Sequence, residues 1–350
     1  MLTEAEATQE LRDSGLAMLH LHEAMVALEI DVSKVYSQLG LSTERLVEQL
    51  RDRKLRTRHD AVAAFWQAVE SVSGDKDIGL HLGECAPLYR GQVLEYLFLS
   101  SLTFGEGLKR ALKYQRLFSD AAQGELGIEG DQAWLAFDVV THATETPRHL
   151  AEWLACVFIR FYRFVTNRSF VPSRITFRHS CPEDLSEHER ILRCPVDFDR
   201  GSNRIYFDAA LLEARSPHAE PELLKLHEQV ASKQLHQLEK QDVVGDVRSA
   251  IAEVLEEGGA NLEGVSERLG YRPRELRHTL SEAGTNFNQI LNDYRRNLAR
   301  RLLIETEESI ENVVYLTGFS EPSTFYRAFK RWFDDTPAGF RTKYKDQAID

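Results

Sequence analysis

Long apolar runs are missing from this chain. No stretch approaches the ~18 uninterrupted apolar residues that a bilayer span needs, so no membrane association is expected. Cysteine is scarce as well. The four present, Cys85, Cys156, Cys181 and Cys194, are scattered and form no CxxC pair. Such usage fits a reducing compartment better than a disulfide scaffold. The opening residues, MLTEAEATQELRDSG, are acidic and polar rather than a secretory signal, and a cytoplasmic location is expected. Absent too are a GxSxG elbow, a Walker loop, an HExxH pair and a GxGxxG after a strand. No catalytic residue, cofactor or metal is therefore assigned, and an enzyme is not expected.

What remains is ample for two domains: 350 residues, 43% apolar and 28% charged. The net charge of −12 looks wrong for a nucleic-acid binder, but it is unevenly spread. Residues 245–345 carry 15 Lys+Arg against 16 Asp+Glu, a net of −1, which leaves −11 for the rest. Inside that tail, residues 266–301 hold eight Arg against four acids, and residues 318–345 hold six bases against three. Local basic faces, not the total, decide phosphate contact.

The first 125 residues read as mostly helical. His59–Val72 and Phe104–Ala122 place apolar residues at helical spacing. Gly124, Gly127 and Gly130 break that pattern, and Trp134–Val140 then alternates as a strand. Pro147–Ser169 reads as a long apolar helix with Pro in a first position. Strand candidates follow at Arg174–Arg178 and Arg204–Phe207. This predicts an α+β domain over residues 1–215, a helical linker over 216–244, and an all-α domain over 245–345.

The C-terminal region repeats itself. LEGVSERLGYRPRELRHTL, Leu262 to Leu280, is followed by IENVVYLTGFSEPSTFYRAF, Ile310 to Phe329. Pro273 matches Pro322, Leu276 matches Phe325, His278 matches Arg327 and Leu280 matches Phe329, each pair 49 residues apart. Gly270 and Gly318 are 48 apart, so the second turn is one residue longer. Each unit has the parts of a helix-turn-helix. A short helix ends at Gly, where left-handed backbone is cheap; an aromatic, Tyr271 or Phe319, follows; Pro then opens a second helix. Leu276 and Leu280, or Phe325 and Phe329, face inward at four-residue spacing. Arg274, Arg277 and His278 must then face out, as must Ser323, Tyr326 and Arg327, with Lys330 and Arg331 beyond. Arginine suits guanine edges and phosphates, and hydroxyls suit either. Between the units, Phe287–Thr306 reads as one helix whose stripe runs through Ile290, Leu291, Tyr294, Leu298, Arg301 and Leu302. It would hold the two outer helices about one DNA turn, roughly 34 Å, apart.

Through GFSEPSTFYRAFKRWFDDTPAGFR, Gly318 to Arg341, the chain resembles the AraC/XylS family of bacterial transcription regulators. The resemblance covers about residues 245–345 and implies two helix-turn-helix units on a seven-helix scaffold, reading successive major grooves. It puts recognition positions at Arg274, Arg277, His278, Pro322, Ser323, Tyr326 and Arg327. The family usually has Arg where His278 stands and Gly where Asp334 stands, and Arg272 replaces a Ser cap. YSQLGLSTERL near Tyr36, SSLTFGEGLKRALKYQRLF from Ser100 and VDFDRGSNRIYFD from Val196 resemble the family's arabinose-binding-like sensing and dimerisation domain. That implies a homodimer, modulated by an unidentified small-molecule effector, that binds double-stranded DNA and contacts RNA polymerase, as an activator rather than a repressor. The competing readings are an effector-independent regulator and an enzyme-like first domain with a DNA-binding tail.

Within the first domain, Arg148 and His149 at a helix start are the candidates for holding a carboxylate effector; ordinary surface charge is the competing reading. His179, Cys181, His188 and Cys194 are close in sequence but fit no zinc spacing. Phe158, Phe161, Tyr162 and Phe164 line either a core or an apolar pocket, with core packing favoured.

Overall fold

The computed structural model describes residues 11–345, apart from 51, 53–54, 89–91, 140–145 and 256–259. The first unit, ending at Leu235, opens with β1 (Arg12–Ser14), α1 (Gly15–Ala27), α2 (Val32–Gln38), α3 (Thr43–Leu50) and β2 (Arg56–Arg58). Helices α4 (Val62–Ser73), α5 (Ile78–Cys85), α6 (Val93–Ser100) and α7 (Phe104–Lys113) follow. Then come β3 (Ala122–Glu129), β4 (Gln132–Val139), α8 (Arg148–Val165), β5 (Arg174–Thr176), α9 (Ser186–Leu192), β6 (Val196–Asp197) and β7 (Arg204–Asp208). The main sheet has the order β3-β4-β7-β5-β6, antiparallel except for the β5–β6 pair. This is an α+β domain.

The glycine-rich stretch that reads as a break is in fact β3. Gly127 lies opposite Trp134 in the register, and a Cβ there would sit 2.1 Å from the Trp134 ring. A Cβ on Gly124 would lie 2.5 Å from Leu112. These glycines make room for neighbours rather than ending the strand; only Gly130, at φ 65°, turns the chain. Phe104–Ala122 is correspondingly not one helix, since α7 stops at Lys113 and Ala122 already belongs to β3. Val140, the last residue of the expected strand, lies outside the described residues. Pro147 caps α8 with φ −55° and ψ 140°, and that helix ends at Val165, because Asn167 and Arg168 both take positive φ.

One face of the sheet, through Ala133, Leu135, Phe137, Ile205 and Phe207, joins Phe104, Trp153, Leu154 and Tyr162 in a single core. Phe158 and Phe161 pack at its edge, with Phe161 5.4 Å from Phe98, whereas Phe164 is exposed. The opposite face carries Trp134 and Tyr206, covered by the guanidinium groups of Arg204 at 3.9 Å and Arg174 at 4.2 Å.

Residues 216–244, expected as a linker, fall largely within α10 (Pro221–Val254). Leu224, Ala231 and Leu235 pack with Leu97 and Tyr114 in the first unit, and Tyr114 shares a 2.8 Å hydrogen bond with Ser232. Beyond His236 the same helix contributes Val243, Val247, Ala250 and Ile251 to a core of the second unit. That unit continues with α11 (Leu262–Arg268), α12 (Pro273–Glu282), α13 (Phe287–Glu305), α14 (Ile310–Leu316), α15 (Pro322–Phe333) and α16 (Pro337–Lys345). It is all-α. Among the described residues no helix is long and apolar enough to cross a membrane.

Candidate nucleic-acid interface

Two helix pairs, α11–α12 and α14–α15, form where the repeat predicts them. Asn261 and Ser309 start the first helix of each pair, accepting hydrogen bonds from Gly264 N at 2.8 Å and Asn312 N at 3.1 Å. Gly270 and Gly318 make the turns at φ 72° and 68°. At Gly318 a side chain is excluded twice over, since a Cβ would lie 2.9 Å from the Leu255 carbonyl oxygen. Pro273 and Pro322 open α12 and α15, whose N-cap residues, Arg272 and Glu321, make no side-chain cap. Asp334 ends α15 in the left-handed conformation at φ 54°, which its short polar side chain tolerates.

The inward positions are fully buried: Leu276 and Leu280 in one core, Phe325 and Phe329 in another. Arg274, Arg277 and His278 on α12 are exposed, as are Pro322, Ser323, Tyr326, Arg327 and Lys330 on α15. Arg327 rests on its own helix, with Nε 3.4 Å from the Ser323 carbonyl and Nη2 3.3 Å from Thr324 Oγ1. Lys330 reaches the Asp334 carbonyl at 2.7 Å. These are local, solvent-facing contacts that a phosphate can replace at little cost.

Helix α13 serves both pairs. Phe287, Ile290 and Leu291 enter the first core, Ala299 and Leu303 the second. Arg301, placed on the apolar stripe by its spacing, is exposed. Two arginines missed by the repeat fix the second pair. Arg295 donates from Nη2 to the Gly318 carbonyl at 2.6 Å and lies 4.5 Å over the Phe319 ring; burial lowers its pKa. Arg341 donates to the carbonyls of Leu303 at 3.3 Å and Glu308 at 2.6 Å, tying α16 to the end of α13. Arg341 was visible as the closing Arg of the sequence motif. Arg295 had no local signal, because its partner is 23 residues away.

In the first unit, Arg148 and His149 are both engaged. Arg148 donates to Asp77 at 2.5 Å and to Glu152 at 2.8 Å, and His149 lies 3.2 Å from Glu70. Their charge is already matched by acids. Glu152 is fully buried and central to this cluster. Burial opposes its charge, but His149, His188 and Arg148 outweigh it and hold the carboxyl well below the usual carboxylate range. His188 donates to it at 2.8 Å, while His179 stands 3.7 Å away and Cys181 is exposed. Among the described residues no group of His, Cys, Asp and Glu has the arrangement of a metal site.

Comparison with known proteins addresses both units. Residues 30–216 match the family model described as the arabinose-binding domain of AraC transcription regulators. Residues 265–343 match a helix-turn-helix domain. The ornithine utilization regulator of Pseudomonas aeruginosa is 26% identical over 277 residues, 78% of this chain and 81% of its own. The transcriptional regulator VirS of Mycobacterium tuberculosis is 27% identical over 169 residues, 47% of this chain and 48% of its own. The crystal structure of the transcriptional regulator CdpR from Pseudomonas aeruginosa aligns with 93% of this chain and 98% of its own, at 21% identity and a TM-score of 0.44.

Proposed function

The chain belongs to the AraC family of transcription regulators, and from that premise we propose that α12 and α15 enter successive major grooves of one DNA site. The protein is a DNA-binding transcriptional regulator. Arg274, Arg277 and His278 from the first pair would meet one half of the site, and Pro322, Ser323, Tyr326, Arg327 and Lys330 from the second pair the other. The observation that carries this reading is the alternation along both helices. Each buries the residues at four-residue spacing and exposes its basic and hydroxyl side chains between them. Helix α13, at 19 residues, is about 28 Å long at ~1.5 Å per residue, comparable with the roughly 34 Å of one DNA turn.

The first unit binds a small effector and pairs with a second copy, and occupancy changes how the paired DNA-reading units meet their half-sites. The regulator works in the cytoplasm as an activator in contact with RNA polymerase. Selection of bound duplexes from a random pool by the full chain tests the DNA reading. A single enriched motif with two half-motifs about one turn apart supports it; recovery of unenriched sequence, or binding indifferent to salt, removes it.

A further inference from the structure

Beside the end of α9, a cavity of about 390 Å3 opens in the first unit, a size suited to small molecules. Leu185, Pro195 and Val196 form its apolar wall, and Glu189, Arg193 and His188 supply its polar groups. Glu189 and Arg193 stand four residues apart, the spacing at which acid and base pair along a helix. Neither has an ion-pair partner among the described residues. Arg193 instead ends α9 in the left-handed region at φ 58°, a conformation that costs a non-glycine residue roughly 1–2 kcal/mol and that gathers at ligand-contacting positions. Among the described residues its guanidinium makes one hydrogen bond, Nε to the Arg190 carbonyl at 3.2 Å.

Arg193, an exposed guanidinium with no ion-pair partner among the described residues, lines this cavity, and a free guanidinium favours an anionic guest. His188, 1% exposed, joins the cavity to the core. Its Nε2 donates to Glu152, and its Nδ1 is buried without a hydrogen-bond partner among the described residues.

We infer that this cavity binds a free α-amino acid, its carboxylate taken by Arg193, its ammonium by Glu189, and its side chain by the wall of Leu185, Pro195 and Val196. The inference rests on the reading of the first unit as an effector sensor and names the ligand class and the place. His188 couples occupancy to Glu152 and thus to the start of α8.

Calorimetric titration of the full chain with each standard L-amino acid tests this. At least one is expected to bind, and its decarboxylated amine and its deaminated acid to bind at least about tenfold more weakly. Arg193→Gln and Glu189→Gln, both at exposed positions, should each weaken binding by a similar factor while leaving the thermal midpoint in place. Absence of binding across the panel, or binding unchanged in both variants, overturns the cavity assignment and leaves DNA recognition untouched. Binding that the variants abolish supports it. If DNA affinity is then the same with and without the amino acid, the cavity stands and the effector reading falls.

Discussion

Gly270 and Gly318 occupy equivalent turns with nearly the same φ, but their surroundings differ. Nothing lies within 4 Å of a Cβ on Gly270, whereas one on Gly318 meets the Leu255 backbone. Gly270→Ala should therefore cost about 1–2 kcal/mol, the left-handed penalty alone. Gly318→Ala adds displacement of packed backbone and should cost about 2–4 kcal/mol. Urea unfolding of both variants checks the order, and equal losses would mean that the Leu255 contact is irrelevant. Arg327→Ala should weaken specific binding and Arg277→Ala should relax preference at one base position, each contact carrying about 1–3 kcal/mol of discrimination. Gel-shift affinities at wild-type level for Arg327→Ala would refute that assignment. Glu152 makes a different prediction. Its pKa is depressed, so its contribution is present above its unfolded pKa and disappears as pH falls through the lower folded value. Glu152→Gln removes one partner of a buried charge network and should cost about 3–5 kcal/mol near neutral pH. Its stability should also change less than wild type as the solution is acidified below about pH 4.5, near the unfolded value; thermal midpoints across that range report both effects. The outward faces of α12 and α15 were legible because spacing alone decides them. Glu152 was not, since His188 reaches it from 36 residues away.

At the scale of elements, repeat and punctuation identified α11, α12, α14 and α15, because their caps and turns are local. The sheet was harder to read. Gly124 and Gly127 resemble breakers until Trp134 and Leu112 are seen filling the space that their missing side chains leave. Two-residue β6 has no periodicity to detect; it exists because β5 lies alongside it. Helix α13 shows what a single stripe conceals, for its two halves serve different cores. A cavity made in one core should therefore loosen one pair preferentially. Phe329→Ala, at a position with no exposure, should cost about 3–5 kcal/mol. Amide exchange should then accelerate in α14–α16 more than in α11 and α12. Uniform acceleration across both pairs would mean that they open as one unit, with α13 transmitting the loss.

Over the whole molecule, the charge distribution sets how a polyanion meets DNA. Of the net −12, residues 245–345 account for only −1, so most of the surface repels DNA and the exposed bases on α12 and α15 present the local attraction. The partition was readable from the sequence because it needs only counting. Which bases lie free on the surface was not, since Arg295 and Arg341 are spent on backbone carbonyls. If Arg274 and Lys330 each neutralise one phosphate while Arg277 and Arg327 read bases, the logarithm of affinity should fall with the logarithm of salt concentration with a slope of about −2 for each protomer. Lys330→Ala should weaken binding to all sequences about equally and make that slope shallower by about 1. Lys109, exposed on α7 of the acidic first unit, provides the contrast. Lys109→Ala removes the same charge from the chain and should leave the slope unchanged. Equal effects from the two lysines would show that total charge governs the encounter, and would remove α15 as the surface that touches phosphate.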